Sequence, residues 1–348
     1  MDHSKGRNSS RTPIGRRGRI AIAVRLLFLF WLLSNSGISS AAEPKVWNGH
    51  SGSVSALVFS TDGRWLASGS SDHTIKIWEV ATGRELRQLQ GHRATVMEVA
   101  FSPDGKRLAS SGGSPDDSVR LWEVSSGKLL WHQQGHTSSV PTVAYSPDGK
   151  LLASGSSDHS VKLWNAESGA ELRSLSGHKA SLMSVAFSPD GKILASGGFD
   201  RTVSLWEIPG GDELALLLGS RHAVSTLCFS PDGQMLATGS GDLKQSGVGE
   251  IILWDVTTHK PRFRQATADI TSLCFFPNGK YLASGGFDRT VRLWDAKTLR
   301  ERVQLRRNST ILSLAISPRG DLLAAGTASE ILVWQTEPLL AEADRPQE

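Results

Sequence analysis

The sequence predicts an all-β fold built from seven copies of one four-stranded unit, and three observations support this prediction. First, each unit contains a turn motif, Ser-Pro-Asp-Gly or a variant of it, whose residues suit a type I turn. Second, each turn is followed by stretches in which apolar and polar residues alternate, which is typical of half-buried strands. Third, a tryptophan ends the last such stretch at intervals of 40 to 48 residues, at Trp78, Trp122, Trp164, Trp206, Trp254, Trp294 and Trp334.

The elements of one unit follow in a fixed order. A strand leads into the Ser-Pro-Asp-Gly turn, a second strand follows, and a tight turn leads to the third strand, which carries the tryptophan. A fourth strand links each unit to the next, for instance at residues 85–90 and 171–176, and a seventh linking strand is available before the first unit, at residues 44–48. We therefore expect the N-terminal strand to complete the last sheet and close the ring, which hides the sheet edges.

The units resemble WD repeats, the family that forms β-propellers. The resemblance covers residues 44–336 and rests on a Trp-Asp pair in units five and six and on a Gly-His pair at the start of units one to four. It implies a seven-bladed β-propeller at residues 43–336, followed by a polar C-terminal tail at residues 337–348. The pairs are Trp254-Asp255, Trp294-Asp295, Gly49-His50, Gly91-His92, Gly135-His136 and Gly177-His178.

Each of the first four units contains a histidine, a serine, an aspartate and a tryptophan at similar spacing. Serine, histidine and aspartate also form the centre of many hydrolases, but four similar sets favour a structural role, because an enzyme needs one activated nucleophile. The resemblance implies that these tetrads join the strands of a blade by hydrogen bonds. The predicted tetrads are His50, Ser68, Asp72 and Trp78; His92, Ser110, Asp116 and Trp122; His136, Ser154, Asp158 and Trp164; and His178, Ser196, Asp200 and Trp206.

The later units depart from this pattern. Unit five has Ser220 and unit six has Ala266 where the histidine is expected, and unit seven keeps only its tryptophan. Unit five also carries an insertion between Asp242 and its tryptophan, from which we expect a polar loop around Leu243–Gly249. We expect these blades to rely on packing, so that mutation of His178 costs more stability than mutation of Ser220.

A candidate partner-binding face follows from the resemblance. In WD-repeat proteins, binding residues occupy the position before the tight-turn aspartate and positions near the start of the innermost strand. The sequence Gly-Gly-Phe-Asp-Arg-Thr-Val occurs twice, at residues 197–203 and 285–291, and places a phenylalanine near an arginine. These pairs are candidate anchors for a protein partner; the alternative is a duplicated blade without a binding role. The candidate face comprises Met97, Met183, Phe199, Arg201, Phe287, Arg289 and Leu312.

The charge of the chain is divided unevenly. Its formal net charge is +4, but residues 1–42 carry seven basic residues and one acidic residue, which leaves a net charge of −2 on residues 43–348. A body near neutrality argues against a nucleic-acid partner. Residues 1–42 run from basic to apolar to small, as in a secretory signal peptide cleaved after Ala42. The alternative is an uncleaved membrane anchor, although Arg25 limits the apolar stretch to about 14 residues, whereas a spanning helix needs about 20.

The sequence does not indicate a disulfide, a metal site, a cofactor site or a catalytic site. Cys228 and Cys274 occupy the same repeat position, and matched positions of stacked sheets lie roughly 10 Å apart, so we expect two buried thiols and no disulfide. The histidines are dispersed over the units, and no glycine-rich phosphate loop is present, so no metal, cofactor or catalytic residue is predicted.

The sequence therefore favours a monomeric, non-catalytic interaction scaffold with a protein or peptide partner on one face. With the leader, it predicts export to a periplasmic, extracellular or lumenal compartment, and membrane attachment only if the leader is uncleaved. Two alternatives stay open. One is an enzyme or small-ligand binder that uses the central channel, where Asp269 and Arg307 lie near strand entrances; the other is a subunit of an envelope complex.

Overall fold

A computed structural model describes residues 43–241 and 247–345; the predicted leader, Asp242 and most of the predicted loop lie outside these ranges. The described residues form 28 strands and one helix, and the strands make seven antiparallel sheets of four strands each. In six sheets, the four strands follow one another along the chain. The seventh sheet joins the first strand of the chain to the last three. The predicted seven-bladed β-propeller, closed by the N-terminal strand, is confirmed.

The strand bounds follow the repeat. Blade one consists of β2 (Val54–Phe59), β3 (Trp65–Ser70), β4 (Thr74–Glu79) and β5 (Arg84–Gln90), and blade two of β6 (Val96–Phe101), β7 (Arg107–Gly112), β8 (Val119–Glu123) and β9 (Leu129–Gln133). Blade three consists of β10 (Thr142–Tyr145), β11 (Leu151–Gly155), β12 (Ser160–Asn165) and β13 (Glu171–Ser176), and blade four of β14 (Leu182–Phe187), β15 (Ile193–Gly198), β16 (Thr202–Glu207) and β17 (Glu213–Leu218).

The remaining blades contain the less regular repeats. Blade five consists of β18 (Ala223–Phe229), β19 (Met235–Gly241), β20 (Gly249–Asp255) and β21 (Pro261–Thr267), and blade six of β22 (Ile270–Phe275), β23 (Tyr281–Gly286), β24 (Thr290–Asp295) and β25 (Glu301–Arg306). Blade seven consists of β26 (Ser313–Ile316), β27 (Leu322–Gly326), β28 (Glu330–Gln335) and β1 (Lys45–Asn48).

The closing strand connects blade seven to blade one. In the antiparallel pair of β1 and β28, Lys45 lies opposite Val333 and Asn48 opposite Glu330. Trp47 of β1 is buried, and its ring lies 6.1 Å from the ring of Trp78 in blade one. Closure therefore adds apolar burial between two blades as well as backbone hydrogen bonds.

The core lies between neighbouring blades, where the apolar face of one sheet packs on the next. The seven repeat tryptophans are all buried, as is one Leu-Ala pair in each second strand, such as Leu66 and Ala67. Burial of a large apolar side chain contributes about 2 to 3 kcal/mol. Because every blade repeats this arrangement, the core is distributed around the ring.

The Ser-Pro-Asp-Gly turns are held by their own side chains. In blade two, the Ser102 hydroxyl donates to the Asp104 carboxylate at 2.6 Å, and the same carboxylate accepts from the backbone N–H of Lys106 at 3.0 Å. Gly105 adopts a φ of 68°, in the left-handed region that favours glycine. This sequence therefore connects the first two strands of a blade in one defined conformation.

The C-terminal segment corrects one prediction. Residues 337–348 were expected to form a polar tail, but the structure has a helix, α1 (Glu337–Ala343). Leu339 and Ala343 lie one turn apart and are buried in the core cluster that contains Tyr281, whose hydroxyl also donates to Asp344. Leu339 and Ala343 are four positions apart in the sequence, so a helix places them on one face.

Candidate partner-binding face

The structure brings the four side chains of each predicted tetrad together. In blade one, His50 Nδ1 lies 2.8 Å from the Asp72 carboxylate, and Nε2 lies 2.7 Å from the Ser68 hydroxyl. The indole N–H of Trp78 donates to the same hydroxyl at 2.8 Å. Blades two, three and four repeat this network, which connects the loop that enters each blade with its second and third strands.

Electrostatics and burial favour a structural role for these networks. Burial lowers the pKa of His50 although Asp72 opposes this effect, so the histidine is held neutral. Burial of Asp72 is outweighed by hydrogen bonds from Thr74 and His50, which lower its pKa to about 2. The serines have no exposed surface, and the tryptophan N–H already occupies the hydroxyl of each. A substrate carbonyl therefore has no access to the serine oxygen.

Blade five replaces the missing histidine with an ion pair. In blades one to four, the tight-turn aspartate also accepts from the backbone N–H that follows the histidine, at 2.9 to 3.2 Å. In blade five, the buried Glu250 of β20 accepts this bond from Arg221 at 2.7 Å. Arg264 then donates to Glu250 at 2.5 Å and to the Gly219 carbonyl at 2.7 Å. The expectation that this blade relies on packing is therefore corrected: a buried carboxylate holds the same loop.

Blade six uses a second arrangement. The indole N–H of Trp294 still donates to the Ser284 hydroxyl at 2.8 Å. Asp288 pairs with Arg292 of β24 at 2.5 Å, and Arg292 also contacts Glu301 at 3.2 Å. In blade six, ion pairs of Arg292 with Asp288 and Glu301 thus take the place of the histidine contact. The side chains of these three residues are partly exposed.

The two candidate phenylalanines face each other across blade five. Phe199 of blade four is 39% exposed and Phe287 of blade six is 47% exposed, so both are available to a partner. They line one small cavity of about 170 Å³ together with Met183 and Ile270. We refer to this cavity as the face pocket. Among the described residues that line it, Asp269 is the one carboxylate.

Gly241 keeps the face pocket open. It occupies in blade five the repeat position that Phe199 and Phe287 occupy in blades four and six, and it has no side chain to fill the gap. A Cβ atom at this position would lie 2.5 Å from the Asp269 carboxylate. The pocket therefore depends on the order phenylalanine, glycine, phenylalanine in three consecutive blades.

The central channel forms a second cavity, of about 490 Å³. Four residues of the predicted partner-binding face line this channel: Met97, Met183, Phe287 and Leu312. Among the described residues, Glu98 is the only ionisable one that lines it, and burial raises the pKa of Glu98 to about 8. Sequence analysis missed Glu98, although alignment of the repeats shows it where the other blades have alanine, serine or threonine.

Hydroxyl groups in the channel connect neighbouring blades at the position of Glu98. Backbone N–H groups of the next blade donate to Thr142, Ser184, Thr226 and Ser272 at 3.0 to 3.3 Å. Blade one has Ala56 at this position and cannot supply such an acceptor. The corresponding N–H, that of Val99, instead lies 3.2 Å from the Glu98 carboxylate.

The two candidate arginines lie apart from both cavities. Arg201 and Arg289 are exposed, and each adopts a left-handed conformation in its tight turn, with φ values of 65° and 64°. Neither lines the face pocket or the channel. Asp269, which sequence analysis placed near the channel, instead accepts from the Gly247 N–H at 3.1 Å and lines the face pocket.

The described residues contain two free cysteines, no cluster of metal ligands and no membrane-spanning helix. Cys228 and Cys274 are free and partly buried, and burial raises the pKa of Cys228 to about 12. Within residues 43–241 and 247–345, no three histidine, cysteine or carboxylate groups gather as a metal site. In the same ranges, no helix is long and apolar enough to span a membrane.

Comparison with known families identifies the repeat. The family described as "WD domain, G-beta repeat" matches the chain at residues 43–79, 83–123, 127–165, 169–207, 211–244 and 257–295. The chain belongs to the WD-repeat family. Strands β26, β27 and β28 of this WD-repeat protein lie beyond the last matched segment, in agreement with the loss of every tetrad residue of unit seven except Trp334.

Three ribosome biogenesis proteins are similar to this chain over a segment about as long as one repeat. The chain is 59% identical over 39 residues to ribosome biogenesis protein BOP1 of Mus musculus and 55% identical over 38 residues to a BOP1 homolog of Oryza sativa subsp. japonica. It is 46% identical over 41 residues to ribosome biogenesis protein ERB1 of Saccharomyces cerevisiae. These segments are 11 to 12% of this chain and 5 to 6% of the relatives. This similarity therefore concerns a single blade.

Proposed function

We propose that this WD-repeat propeller is a non-catalytic scaffold that binds a protein or peptide partner through the face pocket. The observation that carries the proposal is the pair of exposed aromatic rings of Phe199 and Phe287 on either side of the gap at Gly241. Large aromatic residues around a preformed pocket are typical of binding hot spots. The pocket volume of about 170 Å³ is below the range of roughly 300 to 1,000 Å³ usual for small-molecule sites. A single apolar side chain of a partner fits this size better.

The proposal is tested by removal of the two rings. We expect Phe199→Ala/Phe287→Ala to lose a co-purifying protein that the wild-type chain retains and that binds it directly in a purified system. Leu172→Ala/Leu216→Ala is the matched control, because both leucines are exposed to a similar extent, 51% and 48%, but lie outside the face pocket. An identical set of partners for the wild type and the double variant would contradict the proposal.

Export is a further part of the proposed function. It is supported by the order of basic, apolar and small residues in positions 1–42. The relatives are named for ribosome biogenesis, which raises a different location, but one shared blade supports the repeat more than the process. N-terminal sequencing of the purified protein tests export: a start at Glu43 is expected, and an intact Met1 together with co-sedimentation with ribosome precursors would favour the other process.

The channel supports a second candidate function, the binding of a small cationic ligand. Glu98 is the single ionisable group among the channel-lining residues, and no salt bridge involves it within the described chain. A bound cation would favour its ionised form. Titration with n-butylammonium chloride is expected to shift the Met97 methyl resonance in the wild type but not in Glu98→Gln. Equal shifts in both proteins would exclude Glu98 as the binding group.

A further inference from the structure

A groove between blades five and six lies at the opposite ends of the strands from the face pocket. We call it the five–six groove. It has a volume of about 820 Å³ and is bordered by the Ser-Pro-Asp-Gly turn of blade five, by the corresponding turn of blade six and by the start of β21. Met235, Phe263 and Phe275 supply apolar surface in it.

The charges of the five–six groove are unbalanced. Arg262, Lys280 and Lys297 line it, and none of the three takes part in a salt bridge within the described residues. Asp232 is its single lining carboxylate, and this group is already engaged in its own turn by Ser230 at 2.5 Å and by the N–H of Gln234 at 3.1 Å. The groove therefore carries a net charge of +2, with three positive groups against one negative, on a body whose net charge is −2.

The corresponding groove between blades seven and one provides an internal comparison. Its volume is about 290 Å³, and its lining includes two arginines and three carboxylates, a net charge of −1. One of the arginines, Arg64, lies over the Trp65 ring at 5.6 Å. The same repeat geometry thus gives a smaller and slightly acidic groove, so the charge of the five–six groove comes from its own residues and not from the fold.

The outer strand of blade five differs from those of blades one to three at the five–six groove. At the position of Phe263, blades one, two and three have Arg87, Trp131 and Arg173. Each of these side chains donates a hydrogen bond to the turn of the next blade, at 2.6 to 3.3 Å, and so connects the two blades. Phe263 has no donor, and its ring is 36% exposed at the groove.

We propose that the five–six groove binds an acidic segment of a partner protein, with one apolar side chain of that segment packed against Phe263 and Met235. Unpaired cations steer and hold an acidic chain, while burial of the apolar residue adds affinity that does not depend on salt. This site is separate from the face pocket, so each of the two can be removed without loss of the other.

Methionine methyl resonances distinguish the five–six groove from the face pocket and the channel. The sequence has four methionines, and Met235 lines the five–six groove, whereas Met183 lines the face pocket and Met97 the channel. We would titrate the full chain, labelled with ¹³C at the methionine methyl groups, with the peptide acetyl-Glu-Asp-Leu-Glu-Asp-amide. We expect the Met235 resonance to shift, the resonances of Met97 and Met183 to stay in place, and binding to weaken as salt is raised.

Two double variants test the charge argument. Lys280→Gln/Lys297→Gln removes two exposed cations from the groove and is expected to weaken peptide binding about 10-fold. Arg64→Gln/Arg319→Gln removes two cations from the groove between blades seven and one and is expected to change binding less than about 2-fold. Equal weakening by both variants would overturn the proposal in favour of a general charge effect.

The peptide controls test the rest of the proposal. A peptide in which Gln and Asn replace Glu and Asp is expected to leave Met235 unshifted, and a shift as large as with the acidic peptide would overturn the acidic preference. An acidic peptide that leaves Met235 unmoved in the wild type would also overturn it. Phe199→Ala/Phe287→Ala is expected to bind the peptide as the wild type does, which separates this site from the proposed function.

Discussion

Blades one to four hold their entry loops with a buried histidine, whereas blades five and six have Ser220 and Ala266 at that position. Blade five holds the loop with Glu250 and Arg264 instead, and blade six forms an ion pair at its surface. Both candidate binding sites border the altered blades. The face pocket is lined by residues of blades four, five and six, and the five–six groove lies between blades five and six. The propeller thus tolerates loss of the tetrad where a different contact fixes the loop, and the face pocket and the five–six groove both lie beside the altered blades.

The largest expected difference concerns the tight-turn aspartates of blades two and six. Asp116 has no exposed surface and contacts His92, Ser118 at 2.9 Å and Arg120 at 2.8 Å. We expect Asp116→Ala to lower the free energy of unfolding by ~3 to 5 kcal/mol, because it leaves a buried arginine without its partner. Chemical denaturation measures this loss.

Asp288→Ala in blade six is the matched comparison. Its partner Arg292 keeps the contact with Glu301, and Asp288 itself is 24% exposed, so we expect a loss of ~1 kcal/mol or less. Losses of equal size for the two aspartates would contradict the distinction between the buried networks and the surface ion pair.

The next difference compares His178 with Ser220. His178→Ala removes contacts of 2.8 Å to both Asp200 and Ser196, and it leaves the buried Ser196 hydroxyl without an acceptor. We expect a loss of ~2 kcal/mol. Ser220→Ala removes a hydrogen bond of 2.9 Å to the His222 carbonyl and is expected to cost less than ~1 kcal/mol. Equal shifts of the denaturation midpoint would show that blade five depends on Ser220 as blade four depends on His178.

The fold could be predicted because each blade repeats the same signals. The turn residues, the alternating strands and the tryptophan recur in each unit, so an error in one unit is corrected by the others. The tetrads could be predicted for the same reason. Glu250 could not, since it stands where blades one to four have Thr74, Ser118, Ser160 and Thr202, and no repeat suggests a carboxylate there. Its role appears only when Arg221 and Arg264 are placed around it.

The candidate site was predictable in part. The duplicated sequence around Phe199 and Phe287 indicated two exposed rings, and both are exposed. The pocket between them depends on the missing side chain at Gly241 of blade five and on Asp269 and Ile270 at the start of blade six. Such a juxtaposition follows from the geometry of the ring and leaves no spacing pattern in the sequence.

Glu98 extends the comparison to the channel and to pH. Burial raises its pKa from the ordinary value to about 8, so the unfolded chain releases this proton at lower pH than the folded chain does. Stability from this group is therefore present below about pH 4.5 and is lost as the pH rises toward 8. We expect Glu98→Gln to raise stability at pH 8 by ~2 kcal/mol relative to its effect at pH 5. Parallel stability curves of the two proteins over this range would contradict the raised pKa.

The smallest expected effect concerns the second contribution of Glu98, its contact with the Val99 N–H. In four other blades a hydroxyl of the preceding blade accepts the corresponding bond, and Ala56 is the residue that fails to supply it. At pH 5, Glu98→Ala is expected to cost ~1 kcal/mol, because this N–H loses its acceptor. Ala56→Ser provides an acceptor at the place where the other blades have one, so it should recover most of that loss in the Glu98→Ala background and change the wild type little. A double-mutant cycle measured by denaturation at pH 5 gives the coupling. Strictly additive effects would mean that the Glu98 carboxyl does not replace the missing hydroxyl, and that the contact between blades one and two depends on apolar packing alone.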